Sequence, residues 1–243
     1  MNHEILLPLG GRLALSEPVA AARGTVLICP GGGYHWLSPR EAEPVAAAFR
    51  KGGWNSAVLT YTVRAPGAEP LGTLPLRQLG EAAAWLRENR PGLVIVCGFS
   101  AGGHLAASLG VHWQQLSLPR PDALVLGYPV ITAGPYAHRG SIQNLTDGDE
   151  ADFFSLEKHA GKQVPPAFLW HTVTDPDVPV QNSLLMAEAL AKAGVPYELH
   201  LYSHGTHGLS LATPEVEEPA KNRFADPHIA GWFDLCLDWL STL

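Results

Sequence analysis

Short runs of consecutive apolar residues, with little alternation, punctuate this chain. Stretches at residues 25–29, 57–61, 93–99, 123–128 and 167–171 are each apolar and β-rich, and 197–202 reads as the last strand. That is the pattern of strands buried on both faces. Residues 4–15 read as one or two short edge strands around the turn Gly10-Gly11. Helical spacing fills the intervals. A helix is expected from Ser38, with Pro39 at its first position and Glu41 closing a capping box, to about Arg50 or Lys51 before Gly52-Gly53. Pro44 would shorten or kink its first turn. Further helices are expected near residues 76–89, with Trp85 and Leu86 facing the core, and near 101–113, 180–193 and 229–240. Residues 129–166 read mostly as loop, with one short helix near 156–160. Strands alternating with helices predict a mostly parallel, doubly wound sheet. In such a sheet the functional site lies beyond the carboxyl ends of the strands.

The stretch Gly98-Phe99-Ser100-Ala101-Gly102 stands between an apolar strand and a helical run. Strand, tight turn and helix in that order make a nucleophile elbow, which lifts a serine hydroxyl clear of the sheet. An ordinary strand–helix turn can carry the same five letters, so the surroundings must supply the rest of the chemistry. Serine needs a histidine base, and the base needs a carboxylate to hold its tautomer. In chain order the carboxylate should follow the strand at 167–171, where Asp175 stands with Asp177 as the alternative. The base should follow the last strand, where His207 lies beside Gly208 and His204 competes. A lone loop histidine is usually solvated, and His3, His112, His159 and His228 read that way. The transition state of acyl transfer needs backbone N–H donors. Ala101 supplies one, and the loop Gly31-Gly32-Gly33 after the strand at 25–29 supplies others.

Composition narrows the classes. The 243 residues are 46% hydrophobic and 16% charged, enough for a full buried core. A net charge of −7 disfavours a nucleic-acid partner. Three cysteines, Cys29, Cys97 and Cys236, all in apolar runs, read as reduced buried thiols. No basic leader opens the chain at Met1-Asn2-His3-Glu4, and no apolar run approaches the roughly 18 residues of a membrane span. A cytoplasmic protein with no membrane contact is therefore expected. His200, His204 and His207 have helical ligand spacing but lie on a strand and a glycine loop. Asp147, Asp149 and Asp152 miss the calcium-loop pattern, because Ala151 occupies a ligand position. No metal is expected, and the glycine loop matches no nucleotide motif.

These motifs together resemble a known group. Pro30-Gly31-Gly32-Gly33-Tyr34, Gly98-Phe99-Ser100-Ala101-Gly102-Gly103-His104-Leu105-Ala106, Pro165-Pro166-Ala167-Phe168-Leu169-Trp170-His171, Val178-Pro179, Asn182-Ser183 and His207-Gly208 resemble the α/β-hydrolase esterases. More narrowly, they are similar to the acetyl esterase/lipase group close to bacterial acetyl xylan and feruloyl esterases, relatives of the hormone-sensitive lipase family. The resemblance spans about residues 25–240. It implies one α/β-hydrolase domain over residues 1–243, with segment 129–166 bordering the active site. It implies hydrolysis of short acyl esters, often acetyl groups on plant-polysaccharide sugars, without a cofactor. Carried over by motif, Ser100 is nucleophile, Asp175 acid and His207 base, with Gly32, Gly33 and Ala101 as oxyanion donors. Pro30 stands where lipase relatives have histidine, Gln78 where the family usually has aspartate, and the link Asn89-Arg90-Pro91-Gly92 is short.

Aromatic and histidine side chains near these loops, Tyr34, His35, Trp36, Tyr136, His138 and Trp170, are candidates to line the substrate pocket. Segment 213–226 follows the base and is expected to border the entrance. The expected partner is a small ester, an acetylated sugar. A homodimer stays open. So do a peptidase or thioesterase on the same fold and a catalytically idle sugar-binding module.

Overall fold

The computed structural model describes residues 3–148 and 151–243. Strands β1 (His3–Leu6), β2 (Arg12–Leu15), β3 (Gly24–Cys29), β4 (Asn55–Thr60), β5 (Leu93–Phe99), β6 (Ala123–Gly127), β7 (Ala167–Thr172) and β8 (Tyr197–Tyr202) form one sheet. Among the described residues the sheet has eight strands in the order β1-β2-β4-β3-β5-β6-β7-β8. The β1–β2 and β2–β4 pairs are antiparallel, and every pair from β4 through β8 is parallel. The alternating pattern anticipated this mostly parallel sheet, and the resemblance implied its α/β-hydrolase form.

Helices α1 (Glu43–Lys51), α2 (Leu74–Asn89), α3 (Ala101–His112), α4 (Arg139–Leu145), α5 (Gln181–Ala193), α6 (Pro227–Ala230) and α7 (Trp232–Ser241) cover the sheet. Each central strand feeds two cores. Leu27 and Cys29 of β3, with Val94 and Val96 of β5, pack toward α2, α3 and α5. Val26 and Ile28, with Ile95, Cys97 and Phe99, pack toward α1 and α7. Burial on both faces is why these strands read as unbroken apolar runs. The three thiols are free and buried. Leu86 is fully buried, and Trp85 packs part-buried against the first core. Among the described residues no helix is long and apolar enough to cross a membrane.

Three expectations need correction. The helix expected from Ser38 is instead a 3-10 turn, Pro39–Glu41, followed by α1 from Glu43, and Ser38 makes no side-chain cap. Pro44, in the first turn of α1, suits that later start. Segment 129–166 holds α4 as well as the short 3-10 turn Leu156–Lys158. The cap of α4 is the His138 side chain, which accepts from Ser141 N–H and stands outside the usual capping alphabet. His112 is not solvated: its ring is buried and stacked on Phe153 at 4.0 Å. Gln78 is fully buried, accepts from Thr62 N–H at 2.8 Å and donates to the Leu9 carbonyl at 2.7 Å. It thereby ties the chain after β4 to the β1–β2 turn.

His104 of α3 is buried between Tyr34 and Phe154. Its Nε2 lies 3.1 Å from the Phe154 carbonyl, which can only accept, so Nε2 carries the proton. Nδ1 then accepts from the Tyr34 hydroxyl at 2.9 Å. Burial lowers the pKa of this ring from 6.5 to about 4, against the opposing pull of the Phe154 carbonyl. The unfolded chain binds a proton that the folded state refuses. The ring's contribution to stability is therefore full above pH 6.5 and is lost as pH falls toward 4, on the order of 3 kcal/mol in all. His112, also lowered, chiefly by burial, acts in the same direction. Urea unfolding of His104→Gln, which can keep both hydrogen bonds, should show a shallower loss of stability over that window. An unchanged slope would contradict the assignment.

Candidate active site

Ser100 occupies the corner between β5 and α3 with φ 54° and ψ −120°. A non-glycine residue there stores about 1–3 kcal/mol of strain and persists only when its surroundings hold it. They do: Ser100 N–H donates to Gly127 O, while Ser100 O accepts from His104 and Val130 N–H, all at 3.0 Å. A side chain at Gly98 would strike the Gly102 carbonyl, and one at Gly102 would strike those of Cys29 and Pro30. Glycine at both flanks is thus a packing requirement of the corner.

Ser100 Oγ lies 2.8 Å from His207 Nε2, and His207 Nδ1 lies 2.7 Å from Asp175 Oδ2. The ring hangs in the loop after β8, the carboxylate in the turn after β7. Asp175 Oδ1 accepts from the N–H groups of Asp177 and Val178, each at 2.9 Å. Asp175, rather than Asp177, therefore meets the imidazole, while the Asp177 side chain is exposed at the cavity rim. Burial pushes the Asp175 carboxyl up, but hydrogen bonds from His171, His207 and Val178 N–H outweigh it and hold the group well below the usual carboxylate range. An ionised carboxylate only accepts, so His207 carries its proton on Nδ1 and turns a bare Nε2 to the serine. His204 instead lies 2.9 Å from Asp226.

The motif residues around Asp175 are also placed. His171 Nε2 lies 2.9 Å from Val178 O and 3.4 Å from Asp175 Oδ2, and its Nδ1 is 2.8 Å from Ser183 Oγ. Asn182 Oδ1 accepts from Ile131 and Thr132 N–H, while its Nδ2 donates to Tyr136 O and Pro179 O. Together they fix the turn after β7 to the loop after β6.

A cavity of about 270 Å³ opens at Ser100 and His207. Gly32, Gly33, His35, Trp36 and His138 line it. Gly31 N–H is taken by Glu41 Oε2 at 2.8 Å, whereas Gly32 and Gly33 N–H have no acceptor among the described residues. Ala101 opens α3, where the N–H has no intrahelical partner. Asn144 of α4 donates to Gly33 O at 2.8 Å, so segment 129–166 does touch this loop. Lys221 and Arg223 of segment 213–226 also line the cavity. Arg223 Nε donates to His207 O at 2.8 Å, and the Lys221 ammonium stands 5.0 Å from the Trp36 ring.

Three aromatic candidates do not line this cavity. Tyr34, with φ 61°, turns its ring inward and is 1% exposed against α3. Trp170 is fully buried on the α7 face of β7, stacked on Trp232 at 5.1 Å. Tyr136 is exposed outside it. Glu41, Arg40, Lys221 and Arg223 went unnoticed in the sequence. The local Ser38-Pro39-Arg40-Glu41 pattern offered a capping box for Glu41, and Lys221 and Arg223 were anticipated only as part of segment 213–226, not as individual residues. Among the described residues no group of three or more His, Cys, Asp or Glu side chains is placed to hold a metal; Asp149 lies outside them.

The two tryptophans should separate in a denaturant titration. Trp170→Ala should lower the unfolding free energy by about 3–5 kcal/mol, the cost of emptying a packed core site. Trp36→Ala, 36% exposed, should cost under about 1 kcal/mol. Equal losses would contradict their placement.

Comparison with known proteins agrees with this geometry. The model of the prolyl oligopeptidase family matches residues 71–230. Endo-1,4-beta-xylanase B of Butyrivibrio fibrisolvens is 36% identical over 212 residues, covering 79% of this chain and 33% of that protein. The chain spans less than two thirds of the length of the curated relatives it matches. The acetyl ester-xyloside bifunctional hydrolase from Caldicellulosiruptor lactoaceticus superposes with a TM-score of 0.80 at 34% identity, covering 97% of this chain and 89% of that one. The carboxylesterase Cest-2923 from Lactobacillus plantarum WCFS1 superposes with a TM-score of 0.83 at 29% identity, covering 96% and 92%. The chain thus belongs to the prolyl oligopeptidase family, has the α/β-hydrolase fold and is similar to solved acetyl ester hydrolases and carboxylesterases.

Proposed function

We propose that this chain is a serine carboxylesterase that removes short acyl groups, chiefly acetyl, from carbohydrates such as acetylated xylo-oligosaccharides. The observation that carries the reading is the unbroken hydrogen-bonded chain from Asp175 through His207 to Ser100, opening onto the cavity. Ser100 Oγ attacks the ester carbonyl while His207 Nε2 takes its proton. Asp175, ionised, steadies the imidazolium. The tetrahedral oxyanion meets the N–H groups of Ala101, Gly32 and Gly33. Collapse releases the sugar hydroxyl, protonated by His207. Water then attacks the acyl-enzyme by the same route and frees the acid. No cofactor takes part.

A cavity of about 270 Å³ lies at the small end of ligand sites, which favours acetyl over long acyl chains. Trp36, half-open at the mouth, offers a face for a sugar ring. Residues 1–243 act in this reading as one α/β-hydrolase domain. The named substrates of the related hydrolases support the carbohydrate assignment. The family model gives a second reading, cleavage of an aminoacyl amide by the same triad. The close approach of His207 to Ser100 counts against an idle binding module.

Hydrolysis of p-nitrophenyl acetate, p-nitrophenyl octanoate and acetylated xylo-oligosaccharides separates these. The wild type should prefer acetate to octanoate and release acetate from the sugars. Ser100→Ala should lose on the order of 10⁴-fold or more in kcat, and Asp175→Asn about 10⁴-fold. Equal turnover by Ser100→Ala would overturn the nucleophile. Cleavage of aminoacyl p-nitroanilides without aryl acetates would favour the amidase reading.

A further inference from the structure

Among the described residues, Glu41 is the one acidic side chain lining the active-site cavity that is itself buried, at 3% exposure. It projects from the 3-10 turn Pro39–Glu41 into the space between three loops at the carboxyl edge of the sheet. Its Oε2 accepts from Gly31 N–H at 2.8 Å, and its Oε1 accepts from the Tyr128 hydroxyl at 2.6 Å. The Tyr128 oxygen in turn accepts from Ser210 N–H at 2.9 Å. Burial and the nearby Glu41 charge keep that phenol protonated, so it remains a donor to Glu41. The Tyr128 ring meets the His207 ring edge-on at 5.1 Å. A Cβ placed on Gly31 would fall 2.8 Å from Glu41 Oε2 and 3.0 Å from Ser100 Cβ, so the glycine loop is packed closely between the carboxylate and the serine.

A buried carboxylate costs several kcal/mol in desolvation and is a poor device for stability alone. The adjacent Arg40 does not neutralise it: that guanidinium donates to Val216 O at 2.5 Å and Gly208 O at 2.7 Å. What the carboxylate does is orient donors. By taking Gly31 N–H it withdraws that group from the cavity and leaves the next two N–H groups of the loop free. Through Tyr128 it also holds Ser210, three residues past His207.

We propose that Glu41 is a positioning residue for the esterase reaction, binding the Gly31–Gly33 loop and, through Tyr128, the histidine loop in the geometry that receives the oxyanion. This rests on the serine esterase reading above. It acts on the transition state and hardly on the bound ester, so the effect belongs in kcat.

The test uses the full chain, p-nitrophenyl acetate and an alkylboronic acid, which adds to the active serine as a tetrahedral anion. Glu41→Ala should lower kcat on the order of 10²-fold with KM within about 2-fold, the scale of losing an oriented oxyanion donor. Boronate affinity should fall in parallel. Glu41→Gln, which can still accept from Gly31 N–H, should recover most of the activity. Tyr128→Phe should lie between wild type and Glu41→Ala. A folded Glu41→Ala with unchanged kcat, or with KM raised and boronate affinity intact, would overturn the proposal. Should Glu41→Ala not fold, Glu41→Gln and Tyr128→Phe decide it: wild-type kcat and boronate affinity in both would overturn it, and a kcat loss in Tyr128→Phe matched by weaker boronate binding would support it. Ser100→Ala keeps the two claims apart. Activity surviving there defeats the esterase reading, whereas activity lost there but kept in Glu41→Ala defeats only the positioning role.

Discussion

The reversal of the chain at Ser100 is the constraint on which the rest depends. A parallel strand can pass directly into a helix only through a corner that most residues resist, and Ser100 holds that corner at φ 54°. The corner stands because β5 lies between β3 and β6 and is hydrogen-bonded on both sides, while glycine at 98 and 102 lets neighbouring backbone come close. Once the serine is fixed there, the loops after β3, β6, β7 and β8 converge on it without further direction, since all leave the same edge of the sheet. Gly31 comes from the first, Tyr128 from the second, Asp175 from the third and His207 from the fourth. Residues 107 positions apart thereby share one proton between Ser100 and His207.

Buried polar groups then set the electrostatics. Asp175 keeps its charge because four donors surround it, two from backbone and two from imidazoles. His104 stays neutral because a carbonyl holds its proton at Nε2 and burial disfavours a second one. The two act in different pH windows. His104 refuses protons between about pH 6.5 and 4, whereas Asp175 contributes stability above the ordinary carboxylate value and loses it only in stronger acid. Near neutrality both groups are in the state the site needs.

Much of this was legible in the sequence because it is local or follows from topology. Burial on both faces makes strands such as β3 and β5 continuously apolar, and the order of elements places the serine, the carboxylate and the histidine. What escaped notice depends on distant partners. Glu41 satisfies every local rule for a capping box, yet its acceptors' donors lie 10 and 87 positions away at Gly31 and Tyr128. Helix α4 was hidden because a histidine caps it. Trp170 was misplaced at the pocket although its position inside a strand, alternating toward α7, assigns it to the core. Arg40 and Arg223 act through carbonyls of the histidine loop, contacts that no spacing announces.

The central claim is that Ser100 is the nucleophile, activated by His207. Covalent capture tests it most directly. The protein would be treated with an alkyl p-nitrophenyl phosphonate and the adduct located by intact mass and peptide sequencing. One phosphonyl group is expected on Ser100, with labelling slowed by orders of magnitude in His207→Ala. Label on another residue, or undiminished labelling of Ser100 without His207, would contradict it.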